Sequence, residues 1–167
     1  TLRIFGGKCS YIYIGPDSYN VNINHLQLFN FGSSLFSFFW RNLDHKLFID
    51  CEYLYLANCH FDDEYISSSK FNVKSEIPKK LKGFCNISYH NQNKSLLKKI
   101  LSHNSSSLET FGCTDSYLYR VRWFNQVQWD NLKQLHFLST AGSNDKILSI
   151  VSKAPLLEKI HIQDIRR

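Results

Sequence analysis

Apolar residues recur along this chain in a fixed short pattern. Seven times, an apolar residue is followed three positions later by a second and, usually, two positions after that by a third. The units start at Leu2, Leu26, Cys51, Leu81, Leu108, Leu132 and Leu157, with gaps of 24, 25, 30, 27, 24 and 25 residues. A recurrence in the twenties predicts a solenoid, in which each unit buries its apolar side chains by stacking on its neighbours. The clearest unit is Cys51-x-x-Leu54-x-Leu56-x-x-Cys59-x-Phe61. Leu54 and Leu56 alternate with Tyr53, Tyr55 and Ala57, which is the period of a strand with one buried face. The last units read Leu132-x-x-Leu135-x-Phe137 and Leu157-x-x-Ile160-x-Ile162-x-x-Ile165, and Leu108-x-x-Phe111-x-Cys113 is a looser version.

Three units admit more than one register. The second also fits Ile23-x-x-Leu26-x-Leu28-x-x-Phe31. The fourth can place Leu81, Gly83 and Asn86 in later slots, and the first has Gly7 where an aliphatic belongs.

Segments between the strands return the chain. Ser95 to Ser102 carries Leu96, Leu97, Ile100 and Leu101 at helical spacing, and Asp145 to Ser152 does so with Ile147, Leu148, Ile150 and Val151. Ser143 or Asn144 suits the N-cap of the second helix, Asp145 its first turn, and Pro155 its end. Phe36 to Leu43 reads as a short helix. Phe61 to Ile77, rich in Asp, Glu and Ser, reads as a surface bulge that lengthens one unit. Tyr117 to Phe124 alternates Tyr119, Val121 and Trp123 against Arg120 and Arg122, the pattern of an extended segment.

Composition narrows the class. The 167 residues are 43% hydrophobic and 15% aromatic, which fits one globular domain with a sizeable core. The chain opens at Thr1 inside an expected strand and has no Met, so residues 1–167 read as a single array of about seven units and a piece of a longer protein. Net charge is +6, but the basic residues are scattered: Lys79, Lys80 and Lys82 cluster, Lys98 and Lys99 pair, and Arg166 and Arg167 end the chain. A nucleic-acid surface is therefore the less favoured reading. Five cysteines in no tight framework argue against a disulfide scaffold. Three sequons, at Asn86, Asn93 and Asn104, are no more than such a composition produces by chance. The most apolar stretch, Leu35 to Trp40, is too short to cross a bilayer, so no membrane role is expected.

Cys59 stands where a leucine-rich repeat wants Asn or Cys, a side chain able to reach loop backbone after the strand. That cysteine, the size of the helical returns, and the phrase Ile147-Leu148-Ser149-Ile150-Val151-Ser152-Lys153-Ala154-Pro155-Leu156-Leu157-Glu158-Lys159-Ile160-His161-Ile162 together resemble the repeats of the F-box/LRR group. The resemblance covers nearly the whole chain, but no stretch matches an F-box. Ile77-Pro78 is similar to the Leu-Pro that opens one, yet it lies between units and reads as a turn. The fold implied is an α/β leucine-rich repeat solenoid: a curved parallel sheet on the concave side, with helices and irregular returns on the convex side. The function implied is substrate recognition in an F-box adaptor of a cullin-RING ubiquitin ligase, in the cytoplasm or nucleus, with the ligase components held by missing regions. The alternatives are an interaction scaffold without a ubiquitin link, regulatory or innate-immune, and the basic nucleic-acid surface.

In such a sheet, the residues between the buried ones line the concave face. They are Tyr53, Tyr55, Thr110, Gly112, Gln134, His136, Lys159 and His161, with Asn30 or Gln27 added according to register. Tyr and His offer large amphipathic contact areas, so a protein partner is expected on this face. His136 and His161 occupy equivalent slots of adjacent strands. Repulsion between them when protonated would make binding pH-sensitive. A metal needs a third ligand, and Gly112 takes the preceding slot, so no metal or other cofactor is expected. No paired carboxylates, phosphate loop or Cys-x-x-Cys appears, and Cys59 and His60 point to opposite sides. The chain is expected not to be an enzyme. Ile160, Ile162 and Ile165 should be partly exposed unless a further unit covers them.

Overall fold

The computed structural model describes residues 1–5, 24–30, 50–59, 66–67, 77–87, 94–114, 122–139 and 144–164. Among them, seven strands form one sheet: β1 (Leu2–Phe5), β2 (His25–Phe29), β3 (Tyr53–Ala57), β4 (Gly83–Ile87), β5 (Thr110–Thr114), β6 (Gln134–Ser139) and β7 (Lys159–Asp164). Every neighbouring pair is parallel, and the order in the sheet is the order in the chain. Parallel neighbours need a crossover of a dozen or more residues, which is the length the spacing of the units leaves between strands. Among the described residues, two of these crossovers carry α1 (Lys94–Asn104) and α2 (Asn144–Val151), and a third carries the 3-10 helix Arg122–Gln126. The fold is thus α/β, with an all-parallel sheet compatible with a solenoid-like course.

Strand pairing decides the registers that the apolar pattern left open. Leu26 pairs with Leu54 and Leu28 with Leu56, so the second unit follows the Ile23-x-x-Leu26-x-Leu28 register. Leu2 pairs with Leu26 and Ile4 with Leu28. The first unit is therefore not Leu2-x-x-Phe5-x-Gly7; Phe5 aligns with Phe29 instead. In β4, Phe84 pairs with Leu54 and Asn86 with Leu56, so Leu81 keeps the leading slot. Asn86 thereby enters a row that is apolar in its neighbours.

One face of the sheet is the core. Leu26, Leu54, Phe84, Phe111 and Leu135 form one buried row across β2 to β6, and Leu28, Leu56, Asn86, Cys113 and Phe137 the next. The return segments cover these rows. Leu96, Leu97, Ile100 and Leu101 of α1 are buried, as are Ile147 and Ile150 of α2. Fully burying a large aliphatic or aromatic side chain is worth roughly 1.5–3 kcal/mol, so these rows are the main reason the strands align.

Three expectations about the returns change. Arg122–Gln126 is a 3-10 helix, not the end of an extended segment. Its Phe124 and the following Trp129 close on Phe111, with ring centroids 6.0 and 4.9 Å away. A tight turn delivers both rings to one site, which an alternating strand would not. Residues 117–121 of that stretch lie outside the described residues, as does the helix expected over Phe36 to Leu43. The stretch from Phe61 to Ile77 is not all surface, because Ile66 and Ile77 are buried in the core. Finally, α1 runs past Ser102 to Asn104, and α2 begins at Asn144, while Ser143 is outside the described residues.

Polar side chains fasten the ends of the strands. Asn30 and Asn58, which follow β2 and β3, adopt left-handed backbone conformations with φ of 57° and 51°. Asn tolerates this region better than most residues. Their N–H groups donate to the carbonyls of Ala57 and Ile87, and the Asn58 amide donates to Asn30 Oδ1 at 3.3 Å. Cys59 Sγ reaches the Leu28 carbonyl at 3.3 Å, a backbone contact within β2 rather than in the loop after the strand. At the strand starts, Glu52, Lys82, Glu109, Lys133 and Glu158 each precede a strand and alternate in charge along the rim. Lys82 pairs with Glu52 at 3.2 Å and Lys133 with Glu109 at 3.1 Å.

Asn104 ties α1 to β4. Its buried amide donates to the Pro78 and Ile100 carbonyls at 2.8 and 3.2 Å and accepts the Leu81 N–H at 3.2 Å. Ser107 Oγ adds a bond to the Leu81 carbonyl at 2.8 Å. Asn86 is the opposite case: it is 1% exposed, and among the described residues neither its Oδ1 nor its Nδ2 has a partner. Neither Asn86 nor Asn104 is accessible for a glycan, so two of the three sequons are silent in this fold.

Candidate functional site

The face opposite the core is built from the alternate residue of each strand. One row across it runs His25, Tyr53, Gly83, Thr110, Gln134, Lys159. The next runs Arg3, Gln27, Tyr55, Cys85, Gly112, His136, His161. All seven of the side chains expected there (Tyr53, Tyr55, Thr110, Gln134, His136, Lys159 and His161) stand on this face. They do not form one cluster. Tyr53 and Tyr55 on β3 are three strands from His136 on β6, roughly 14 Å at the usual strand spacing.

Aromatic contacts define the first half. The His25 ring stacks on Tyr53 with centroids 4.3 Å apart and an angle of 14°. Tyr55 packs at 5.5 Å against Phe29. On its other side Tyr53 lies over Gly83. A Cβ at Gly83 would sit 2.4 Å from Tyr53 Cδ1, so the ring takes its place only because that residue is glycine. Burial raises the Tyr55 hydroxyl pKa, with a smaller contribution from Cys85, and the group stays a neutral donor near pH 7.

The middle is filled by Cys85. A Cβ at Gly112 would meet Cys85 Sγ at 2.7 Å and His136 Cβ at 3.3 Å, so the thiol occupies the space above that glycine and next to His136. Burial pushes the Cys85 thiol up to about 12, and the Cys51 thiol, behind the sheet, likewise to about 12. Both are protonated at neutral pH and lack the thiolate that nucleophilic or metal chemistry requires.

The histidine pair closes the far side. His136 and His161 stack with centroids 4.7 Å apart and planes 8° from parallel. Burial lowers the pKa of His136, and the charge that His161 can carry lowers it further. Among the described residues, no three His, Cys, Asp or Glu side chains are grouped so that they could hold a metal ion. No described helix is long and apolar enough to cross a membrane.

Sequence reasoning missed His25, Cys85 and Arg3 on this face. The signal for His25 was present in the alternative register of the second unit, in which Leu26 is a buried residue and His25 its outward neighbour. Asn30, a candidate under one register, is instead the residue at the end of β2. Gln27 is the one on the face. Comparison of the chain with family models, with curated proteins and with solved structures finds no match.

Proposed function

We propose that the chain is a leucine-rich repeat solenoid whose open, concave face binds a protein, with no catalysis of its own. One observation carries this reading: seven parallel strands in chain order place Tyr53, Tyr55, Gln134, His136 and His161 on a single continuous face. Such a surface has the aromatic and amphipathic character of contact residues, and its side chains offer hydrogen bonds without a nucleophile–base pair. The strand-exit contacts of Cys59 and the buried apolar triplets support the repeat class. By its resemblance to F-box/LRR proteins, the partner is a protein to be ubiquitinated, held near a conjugating enzyme by an adaptor of a cullin-RING ligase in the cytoplasm or nucleus.

Co-purification with the full-length protein tests both levels. Recovery of a cullin and an F-box-binding linker supports the ligase reading. Recovery of other proteins without them favours an interaction scaffold unconnected to ubiquitin. At either level, Tyr53→Ala and Tyr55→Ala should release the partner bound to the open face. A partner retained unchanged by the double substitution would refute binding there.

A further inference from the structure

We infer that the segment bound on the open face is an acidic polypeptide, and that the His136–His161 pair is the contact through which protons control its affinity. The inference rests on the protein-binding reading above and adds the chemistry of the partner. Its first support is charge. The first two rows of the open face contain Arg3, Lys159 and three histidines (His25, His136 and His161) and not one carboxylate, and the third, with Phe29, Ala57, Ile87, Leu138 and Gln163, is uncharged. The acidic residues of the strand starts lie on the rim, where Glu52 and Glu109 are held by Lys82 and Lys133. The described part of the face is thus one-signed, with a fixed cation on each end strand, β1 and β7, and histidines on β2, β6 and β7. Two fixed cations along a whole face are too few to follow a phosphate backbone, whose binding depends on many neutralised phosphates. They suit a short run of Asp or Glu, whose remaining hydrogen bonds Tyr53, Gln134 and Thr110 can meet.

The second support is the geometry of the pair. His161 is exposed and His136 partly so, and their rings lie parallel at 4.7 Å. From β5 and β4, His136 is faced by Gly112 and the protonated Cys85 thiol. Gln134 lies beside it along β6, and β7 contributes His161 and Lys159. Burial and the neighbouring His161 lower the pKa of His136 and so disfavour its protonated form in the free protein. A carboxylate brought by the partner opposes this shift. It raises the pKa of whichever imidazole it meets, so binding takes up a proton and tightens as pH falls. Each unit by which a bound carboxylate raises a histidine pKa gives up to a tenfold gain across the window between the free and bound values.

A labelled twelve-residue peptide of alternating Glu and Ser, titrated with the full chain by fluorescence anisotropy at low salt, tests this. Affinity should rise about tenfold between pH 7.5 and 5.5. The double variant H136Q/H161Q should lose the rise between the two pH values whatever its affinity at pH 7.5, with its fold checked by circular dichroism. The matching Gln and Ser peptide should bind far more weakly at both pH values. Failure of the Glu peptide to bind, equal binding of the Gln peptide, or a rise that persists in the double variant would each overturn the inference. So would tighter binding of a twelve-residue oligothymidylate. If the inference fails while Tyr53 and Tyr55 substitutions still release a co-purified protein, the open face binds protein of another chemistry. Failure of both removes the binding face itself.

Discussion

Replacing Asn104 by Ala removes three hydrogen bonds from a place water cannot easily reach. The Asn104 side chain is fully buried, and its amide serves the Pro78 carbonyl, the Ile100 carbonyl and the Leu81 N–H at 2.8 to 3.2 Å. The Ile100 carbonyl still has its helical partner. Among the described residues the Pro78 carbonyl and the Leu81 N–H have no other partner, and a buried backbone group left unpaired costs about 1–3 kcal/mol. Two such groups put the loss at roughly 2–6 kcal/mol. The same residue type at Asn86 predicts the reverse sign. Its amide is buried without a described partner between Leu56 and Cys113, so Asn86→Val removes a desolvated polar group at no hydrogen-bond cost. A gain of about 1–3 kcal/mol is expected, less any strain from fitting the branched side chain. Urea unfolding followed by circular dichroism and Trp fluorescence measures both from the midpoint, provided that the slope is unchanged. A loss below about 1 kcal/mol at Asn104 would mean that water replaces the amide. Destabilisation at Asn86 equal to that at Asn104 would refute the reasoning, since it would show that the Asn86 amide is paired.

Gly83→Ala should displace the Tyr53 ring, because the new Cβ falls 2.4 Å from Cδ1, and so break the stack with His25. The His25 ring protons should lose their ring-current shift in NMR while the fold persists; an unchanged spectrum would count against the placement of that ring. In β7, the last strand described, Ile160 and Ile162 are 44% and 56% exposed. Ile160→Lys with Ile162→Lys should lower self-association in light scattering without loss of helical signal. In the free protein, the lowered pKa of His136 means that the folded state resists protonation there, so stability present above pH 6.5 declines as the pH falls through it. The His136→Gln variant should show a flatter profile of unfolding midpoint between pH 7.5 and 5. The thiols respond at the other extreme. With pKa raised from 9.0 to about 12, Cys51 and Cys85 favour the folded state up to pH 9, and that contribution is lost as pH rises toward 12. Iodoacetamide at pH 8 should therefore label them in urea and leave them nearly untouched in the native chain.

The recurring apolar residues by themselves determined most of the architecture. The alternation of Leu54 and Leu56 with Tyr53 and Tyr55 specifies a strand and its buried side, and a recurrence of 24 to 30 residues leaves the dozen or more residues that a parallel crossover needs. This is why the seven expected side chains do share a face: once the buried residues of a strand are known, pleating assigns the others. Register was settled only in three dimensions. Leu2, Ile4 and Phe5, like Leu26, Leu28, Phe29 and Phe31, offer more apolar residues than one strand face accepts. Several pairings satisfy the local pattern, and a slip of one residue exchanges the two faces. The competition is resolved between strands, by whichever alignment buries more area against β3, and it moved His25 and Gln27 onto the open face. The same applies to Arg122–Gln126, whose alternation reads as extended but whose conformation is set by the gap beside Phe111. The sequence could not show that Asn86 would be buried with no partner among the described residues and Asn104 buried with three hydrogen bonds. Both are ordinary asparagines until the neighbouring backbone is in place, and only the tertiary structure brings the Pro78 carbonyl and Leu81 N–H to one of them.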